Sequence, residues 1–540
     1  MAVFENEFTY RKFLDSGREE EFDRLFDLAV EDAKQNVIGK RFPMYIGGRE
    51  VYASEQIVEY SPIDKRIVLG TFQKGTKEHA RQAVEEALNA FDSWSSTDYR
   101  ERVEIMRNTA KLMSESKFPI AAVLSMENGK TRYESVGEVD EAIDFLNYYS
   151  FDMERNKGYV RKSTLAATMN KVRAGFQGAP GSGENVKIVM KPYGVFGVIA
   201  PFNFPVSIST GMSAGALITG NTVVFKPSSS ESKSMLTGLK IYEMYRKAGV
   251  PEGVFNYITG SGAEIGSEIS GSDKVSGVVF TGSRMVGMDM IARTYNERKQ
   301  KIFVVEMGGK NPAIVSKYAD LDKAVMGIAG AAYGFAGQKC SACSRVYVHE
   351  SVKDEFVRKL VEKIKEFKIG DPLKKDVYVG PLINHRALED YKTYTDYAKH
   401  NGRVLYGGNI VGTGLEGDYV EPELVEIDHS DKLFHQELFL PFLVLASYSD
   451  FDDAIKKAND VDYGLTAGLY SEKQSEIKKF LYSIEAGTVY VNREISATTG
   501  AIVGLHTFVG WKGSGLTGKG TGSRMYLQQF MREQSQAVVK

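Results

Sequence analysis

From Val195 onward the chain alternates between short apolar runs and longer stretches of mixed polarity. Val195–Ala200, Thr222–Lys226, Val254–Ile258, Gly277–Thr281 and Ile302–Val305 are runs of strand length in which nearly every residue is apolar. Between them, apolar residues recur three and four positions apart, the spacing of one helix face. Ser207–Leu217 and about Lys233–Ala248 are two such stretches, and two more precede Gly277 and Ile302. Strands that are apolar throughout, separated by helices, predict a doubly wound parallel sheet covered on both faces. Such sheets take ligands at the carboxyl ends of their strands. Asn203, Lys226, Thr281-Gly282-Ser283 and Glu306 fall at or just past those ends.

The flanking regions read differently. Residues 9–39 are charged, with Phe13, Phe22, Leu25, Phe26 and Ala29 at helical spacing. Met44-Tyr45-Ile46 before Gly47-Gly48 reads as a strand and turn. Thr76 is placed to cap a helix with Ala83, Val84, Ala87, Leu88 and Phe91 on one face, and Thr97 to cap another with Val103, Met106, Ala110 and Met113 inward. Glu138–Tyr149 reads as a further amphipathic helix. Across residues 156–187 no period survives, and Gln177-Gly178-Ala179-Pro180-Gly181 marks an exposed arm. A second alternating set follows Arg345–Val348, with strands predicted at Leu443–Ala446, Ala467–Tyr470 and Thr488–Val491 and helices at Ser351–Phe367, Phe451–Asn459 and Glu472–Ser483. Tyr526–Val539 is a tail with no clear period.

Composition narrows the function classes. At 540 residues two or more domains are expected. A net charge of −2 gives no reason to expect nucleic acid or an acidic membrane as partner, and no apolar run reaches membrane-spanning length. Met1–Tyr10 carries Glu5 and Glu7 and no basic segment followed by an apolar one, so a secretory signal is not expected. Two cysteines cannot make a disulfide framework, and a reduced, cytoplasmic setting is the expectation.

Both cysteines lie in one run of small residues, Gly334-Phe335-Ala336-Gly337-Gln338-Lys339-Cys340-Ser341-Ala342-Cys343. A thioredoxin-like redox pair would need a small βαβ context that is absent, and a zinc half-site lacks a second pair and a nearby histidine. One reactive and one packing cysteine fits the surroundings, and two inert buried thiols fit about equally well. Glu306 ends an apolar run before Gly308-Gly309; it is either a strand terminator or a base whose pKa burial would raise. Asn203, between Pro201 and Pro205, is either a turn residue or an oxyanion donor. Lys226 is either solvated or placed on an anionic, nucleotide-like ligand. Gly260-Ser261-Gly262-Ala263-Glu264-Ile265-Gly266 follows a strand, with its last glycine one residue too late for a dinucleotide-binding fingerprint.

The ordered set is more specific than its members. Pro201-Phe202-Asn203-Phe204-Pro205, Phe280-Thr281-Gly282-Ser283, Glu306-Met307-Gly308-Gly309-Lys310-Asn311-Pro312, Gly337-Gln338-Lys339-Cys340, Gln436-Glu437-Leu438-Phe439 and Tyr463-Gly464-Leu465-Thr466 resemble the NAD(P)-dependent aldehyde dehydrogenase superfamily over roughly residues 40–530. Within it the chain looks most like the 1-pyrroline-5-carboxylate (glutamate semialdehyde) dehydrogenases, from the long N-terminal helical region, Glu141-Ala142-Ile143-Asp144-Phe145, Gln338-Lys339-Cys340-Ser341-Ala342, Thr499-Gly500-Ala501 and Phe508-Val509-Gly510-Trp511.

The resemblance implies that fold: a Rossmann-like cofactor domain with N-terminal helices (1–160 and 190–305), an α/β catalytic domain (306–512), and a β-arm for oligomerisation (161–189 and 513–540). It implies Cys340 as nucleophile, Asn203 as oxyanion donor and Glu306 as the base for thioester hydrolysis. NAD or NADP would lie along Ile199, Pro201, Lys226, Ser229, Gly262 and Gly266, then Phe280, Thr281, Gly282, Ser283 and Val286, with Gly308, Glu437 and Phe439 at the nicotinamide end. The substrate carboxylate would meet Ser341 and the N–H groups of Gly500 and Ala501, its chain would lie between Phe204 and Phe508, and Glu141 would face its amino group. Four positions depart from the family pattern. Ser229 stands where an acid would exclude a 2′-phosphate, Leu440 and Val509 stand in place of glycines, and Phe202 in place of a tryptophan. The implied reaction is oxidation of L-glutamate 5-semialdehyde to glutamate by a homodimer or higher homo-oligomer. Succinate semialdehyde or glyceraldehyde oxidation is the rival within the class. A cofactor-free cysteine hydrolase or acyltransferase is the rival outside it.

Overall fold

The computed structural model describes residues 8–162, 184–230, 232–294 and 300–539. Its first large sheet has seven strands. Five run parallel, in the spatial order Ile302–Glu306, Val275–Thr281, Val195–Ile199, Thr222–Lys226, Phe255–Tyr257. The antiparallel hairpin Met44–Ile46 and Arg49–Val51 extends the far edge. These are the five strands expected from the apolar runs, and the reason they are legible is two-sided burial. Phe196, Val198, Val223, Phe225, Val279 and Val304 pack into one core, whereas Val195, Ile199, Val224, Val278, Phe280 and Val305 pack into another on the opposite face. Each such side chain is worth ~1.5–3 kcal/mol when buried, so neither face leaves room for polar residues. The strand order reverses between Val195–Ile199 and Val275–Thr281, which opens a crevice at their carboxyl ends.

The second sheet also has seven strands, in the order Arg403–Tyr406, Glu423–Glu426, Phe442–Tyr448, Cys343–His349, Asn311–Val315, Thr466–Tyr470, Thr488–Val491. All neighbours are parallel except the first pair. Consecutive residues again enter different cores: Val346 and Val348 one, Tyr347 between them the other. Sequence patterning missed Asn311–Val315, which is central. Only Ala313-Ile314-Val315 reads as apolar, and Pro312 is tolerated because a register shift falls between it and Asn311 at the strand's start.

The sheets meet through four residues, Met307-Gly308-Gly309-Lys310, between the end of Ile302–Glu306 and the start of Asn311–Val315. The carboxyl end of one sheet therefore abuts the amino end of the other.

A third sheet differs from the sequence reading. Met531–Val539, read as a tail without period, is a strand paired antiparallel along its whole length with Glu184–Pro192, and Val160–Lys162 completes the sheet. It has no apolar face, since residues from Arg532 to Val538 are mostly exposed, so hydrophobic patterning carries no signal there. The Gly- and Pro-rich segment assigned to the arm falls largely in 163–183, outside the described residues. Two smaller corrections concern helices. Asp98, not Thr97, caps Tyr99–Glu115 by accepting from Arg100 N–H. In Lys77–Ser96 the inward face includes Trp94, and Leu88 is exposed.

Candidate active site

Cys340 sits in a turn between the helix Leu321–Tyr333 and the strand Cys343–His349. Phe335, Ala336 and Gly337 all have positive φ on the way into it, which reverses the chain sharply. At Gly337 a side chain is excluded outright, because a Cβ would lie 2.1 Å from the Leu440 carbonyl oxygen. Leu440, one of the departures from the family pattern, thus meets the turn through its backbone.

The turn is held from the neighbouring strand of the same sheet. Asn311 Nδ2 donates to the carbonyls of Cys340 at 2.7 Å and Ala342 at 2.9 Å, and Asn311 Oδ1 accepts from Thr466 N–H at 3.0 Å. Gln338, buried two residues before Cys340, accepts from Ile383 N–H at 2.9 Å. Lys339 pairs with Glu134 at 2.8 Å. Asn311 was not singled out in the sequence. The signal it carried was a polar side chain at the head of what proves to be a central strand.

Around the half-buried Cys340 the chain brings together both other groups read as catalytic. Asn203, buried in the loop after Val195–Ile199, donates Nδ2–H to the Gln338 carbonyl at 3.2 Å, which leaves a second N–H on the same nitrogen. Glu306 ends its strand in a bridge to Gly515, with Met307 N–H donating to Ser514 O at 2.8 Å. Its Oε2 is buried and has no protein partner. Burial raises its pKa to about 8, against a lowering from Gly510 N–H. Burial raises the Cys340 thiol to about 12, with the charges of Glu437 and Glu306 adding to it. The N–H groups of Ser341 and Cys340 itself act the other way. Cys343 has no such surroundings. It is packed in the second sheet's core, its Sγ 3.6 Å from the Arg345 carbonyl.

Glu437 reaches the loop between the two sheets. Its Oε1 accepts from Gly309 N–H at 2.8 Å, and burial raises it to about 7. Gly308, at φ +76°, has no room for a Cβ, which would stand 2.5 Å from Glu437 Oε2. Phe439, itself at φ +61°, meets Phe202 edge to face with centroids 5.8 Å apart. Glu437 and Ser283 line one cleft of about 750 Å³.

Toward the far edge of the first sheet, Lys226 and Ser229 are both buried, which excludes the solvated reading of Lys226. Lys226 Nζ donates to the Pro227 carbonyl at 3.2 Å and Ser229 Oγ donates to the same oxygen at 2.9 Å. Burial lowers the ammonium to about 8. Pro201 is buried beside this strand end and Ile199 lies 3.9 Å from where a Cβ on Gly266 would be. Gly262–Gly266 is a single wide helical turn, which absorbs the extra residue in the glycine spacing. A Cβ on Gly262 would meet nothing within 4 Å. Phe280 is buried, Gly282 N–H donates to the Glu306 carbonyl at 3.1 Å, Thr281 Oγ1 is 3.6 Å from Met212 Sδ, and Val286 is exposed on the following helix.

The residues read as substrate-binding come from four segments of the chain. Thr498 Oγ1 donates to the Ser341 carbonyl at 2.7 Å. Arg493 donates to the carbonyls of Thr499 at 2.8 Å and Gly500 at 2.6 Å. In a trans peptide the N–H points opposite the C=O, so the N–H groups of Gly500 and Ala501 are turned away from that guanidinium. Phe508 follows in the same segment, its N–H donating to Thr521 O at 3.3 Å. Phe204 stacks against a buried cation, with Lys130 Nζ 3.4 Å from its ring centroid. Lys130 pairs with Glu138, which also accepts from the N–H groups of Val206 and Ser207 at the start of the helix Ser207–Ile218. Glu141 is one turn further along the helix of Glu138 and is half-buried.

Residues 51–535 match the aldehyde dehydrogenase family. A 1-pyrroline-5-carboxylate dehydrogenase of Bacillus licheniformis is 34% identical over 509 residues, 93% of this chain and 94% of that protein. The crystal structure of 1-pyrroline-5-carboxylate dehydrogenase from Thermus with bound NAD superposes with a TM-score of 0.86 at 32% identity, covering 96% of each chain. Proline utilization A from Bdellovibrio bacteriovorus superposes with a TM-score of 0.87 at 32% identity over 96% of this chain, which spans about half (52%) of that longer protein.

Proposed function

The chain belongs to the aldehyde dehydrogenase family, and on that premise we propose that it oxidises L-glutamate 5-semialdehyde, the open form of 1-pyrroline-5-carboxylate, to L-glutamate with NAD or NADP. The observation that carries the substrate reading is the Thr498–Ser341 bond, which fixes a loop of outward N–H donors beside the residue that follows the thiol. Backbone donors of this kind hold a carboxylate without adding a charge.

The residues present fit a nicotinamide dinucleotide. Lys226 has a buried ammonium with a single carbonyl partner, and Gly262 faces open space. Lys226 and Ser229 would hold the adenosine ribose, Gly262, Gly266 and Ser283 the diphosphate span, and Glu437 the nicotinamide ribose, with Phe439 against it. When bound, the dinucleotide supplies the hydride acceptor.

The chain's own groups do the rest. Cys340 gives its proton to solvent water and its sulfur attacks the aldehyde carbon, while the N–H groups of Cys340 and Ser341 stabilise the thiolate. The carbonyl oxygen becomes an oxyanion, held by the second N–H of Asn203 and the backbone N–H of Cys340. Oxidation leaves a thioester on Cys340. Glu306 takes a proton from water, the hydroxide adds to the thioester carbonyl, the C–S bond breaks to release the acid, and the departing sulfur takes the proton back from Glu306.

The third sheet supports a homo-oligomer. Among the described residues Met531–Val539 is an edge strand with its outer ladder unpaired, an arrangement that invites a partner strand or surface. Among the described residues no helix is long and apolar enough to cross a membrane, and a free reactive thiol suits a reducing cytoplasm.

The deciding assay follows cofactor reduction with pyrroline-5-carboxylate, succinate semialdehyde and glyceraldehyde, each with NAD and NADP. Turnover is expected to be highest with pyrroline-5-carboxylate. Equal or better turnover of either other aldehyde would overturn the substrate reading and keep the family. Ester hydrolysis without cofactor and no oxidation of any aldehyde would favour the cysteine hydrolase.

A further inference from the structure

At the cleft that Glu437 and Ser283 line, three side chains with no part in the chemistry above face one another. One ligand-type atom from each of His429, His435 and Asp460 lies within 4.8 Å of the other two. His429 Nε2 is 3.1 Å from Asp460 Oδ2, near the separation of two donors on one tetrahedral cation with bonds of about 2.0–2.2 Å. The imidazole rings are edge to face with centroids 5.1 Å apart.

The far side of each ring sets this cluster apart from a surface ion pair. His429 Nδ1 lies 2.9 Å from the Tyr347 hydroxyl. That hydroxyl donates to the Lys457 carbonyl at 3.2 Å and receives Arg345 Nη1 at 3.3 Å. With its proton on the Lys457 carbonyl, its oxygen accepts from His429 Nδ1–H, the tautomer that leaves the Nε2 lone pair facing the Asp460 carboxylate. His435 Nε2 lies 3.0 Å from the His429 carbonyl. A carbonyl only accepts, so this nitrogen carries the proton and Nδ1 carries the lone pair. Each histidine therefore has one nitrogen tied to an acceptor and the other free to donate electrons, the arrangement that orients metal-binding imidazoles.

In that tautomer His429 Nε2 and Asp460 Oδ2 offer lone pairs to the same space, which a metal cation between them would accept.

We propose that His429, His435 and Asp460 form a binding site for a divalent cation of the zinc class, with water completing the coordination. Two imidazoles and one carboxylate are a donor set suited to zinc. Asp460 and His435 line the same cleft as Glu437, so a bound cation adds positive charge to the wall that Glu437 occupies.

The test is calorimetric titration of zinc chloride into the metal-stripped full chain carrying Cys340→Ala, which removes the half-buried thiol as a competing ligand. One equivalent is expected to bind. His435→Gln, and separately Asp460→Asn, should weaken it by at least about tenfold. Asp460 is largely exposed, so its variant tests the site without disturbing packing. Cobalt(II) in place of zinc should give the visible absorption of a tetrahedral site, lost in both variants. Absence of binding, or binding that both variants leave intact, would overturn the proposal.

Discussion

Thr498 donates its hydroxyl to the carbonyl of Ser341 at 2.7 Å, across 157 positions of sequence. The bond ties the loop carrying Gly500 and Ala501 to the turn carrying Cys340, and Arg493 braces the same loop from behind. Thr498→Val keeps the shape and removes the donor, leaving a buried carbonyl short of a partner. The loss is of order 1–2 kcal/mol, felt in where the loop sits. The KM for the aldehyde is expected to rise about five- to thirtyfold while the KM for the cofactor stays within about twofold. An equal rise in both would show a general loss of fold instead.

The two thiols are expected to separate cleanly. Cys340→Ala should lower kcat by at least about a thousandfold, since the covalent route is lost, with little change in thermal midpoint. Cys343→Ala should keep most of the turnover and cost about 1–2 kcal/mol of stability, since it removes a buried sulfur from the second sheet's core. Steady-state kinetics and thermal unfolding of both variants check this, and the reverse pattern would reassign the nucleophile.

How much of this was legible in the sequence depended on how each element is stabilised. The five parallel strands of the first sheet could be read because burial on both faces forces apolar runs. Asn311–Val315 could not, because its first two residues are polar and imino, and its place in the sheet is fixed by neighbours far along the chain. Met531–Val539 could not, because backbone pairing with Glu184–Pro192 holds it and no apolar face is needed. The candidate site divides in the same way. Glu306 and Cys340 announce themselves by residue type and by the small residues beside them. Asn311 and Thr498 act by hydrogen bonds that close through space, over 29 and 157 positions, and their partners cannot be read from the residues beside them. The His429–His435–Asp460 cluster was invisible for a related reason: the third member lies 31 positions from the first.

Glu306 gives a pH dependence whose direction is fixed. Its carboxyl is raised from 4.5 to about 8 by burial, so the ionised base needed for hydrolysis accumulates only as pH approaches 8. The rate of thioester hydrolysis is expected to climb through neutral pH and level off above about 8. Glu306→Gln should lower it by a factor of about 10²–10⁴ and flatten that limb. Stability runs the other way. Below pH 4.5 the group is protonated in both folded and unfolded chains. Above that the unfolded chain ionises first, so the wild type progressively loses stability relative to the Gln variant until pH about 8. With the residue as a whole partly exposed, the difference is on the order of 2–4 kcal/mol. Thermal midpoints of the two proteins should coincide near pH 4 and diverge toward pH 8. A gap of constant size would mean that the carboxyl is not raised.

Cofactor choice is expected to turn on Ser229. Its hydroxyl shares the Pro227 carbonyl with the Lys226 ammonium, so the two side-chain heads lie side by side at the strand end assigned to the adenosine ribose. A hydroxyl there neither repels a 2′-phosphate nor competes for the ammonium. Ser229→Glu would do both. The carboxylate would pair with Lys226, countering the burial that lowers it to about 8, and would oppose a second negative charge in a site with little water. Like charges at such a distance cost several kcal/mol. For the variant, kcat/KM with NADP is expected to fall at least about tenfold further than kcat/KM with NAD, because the NAD ribose offers hydroxyls that a carboxylate accepts from. Measuring both cofactors on wild type and variant with one aldehyde decides it. An equal fall for the two would place position 229 away from the 2′ substituent.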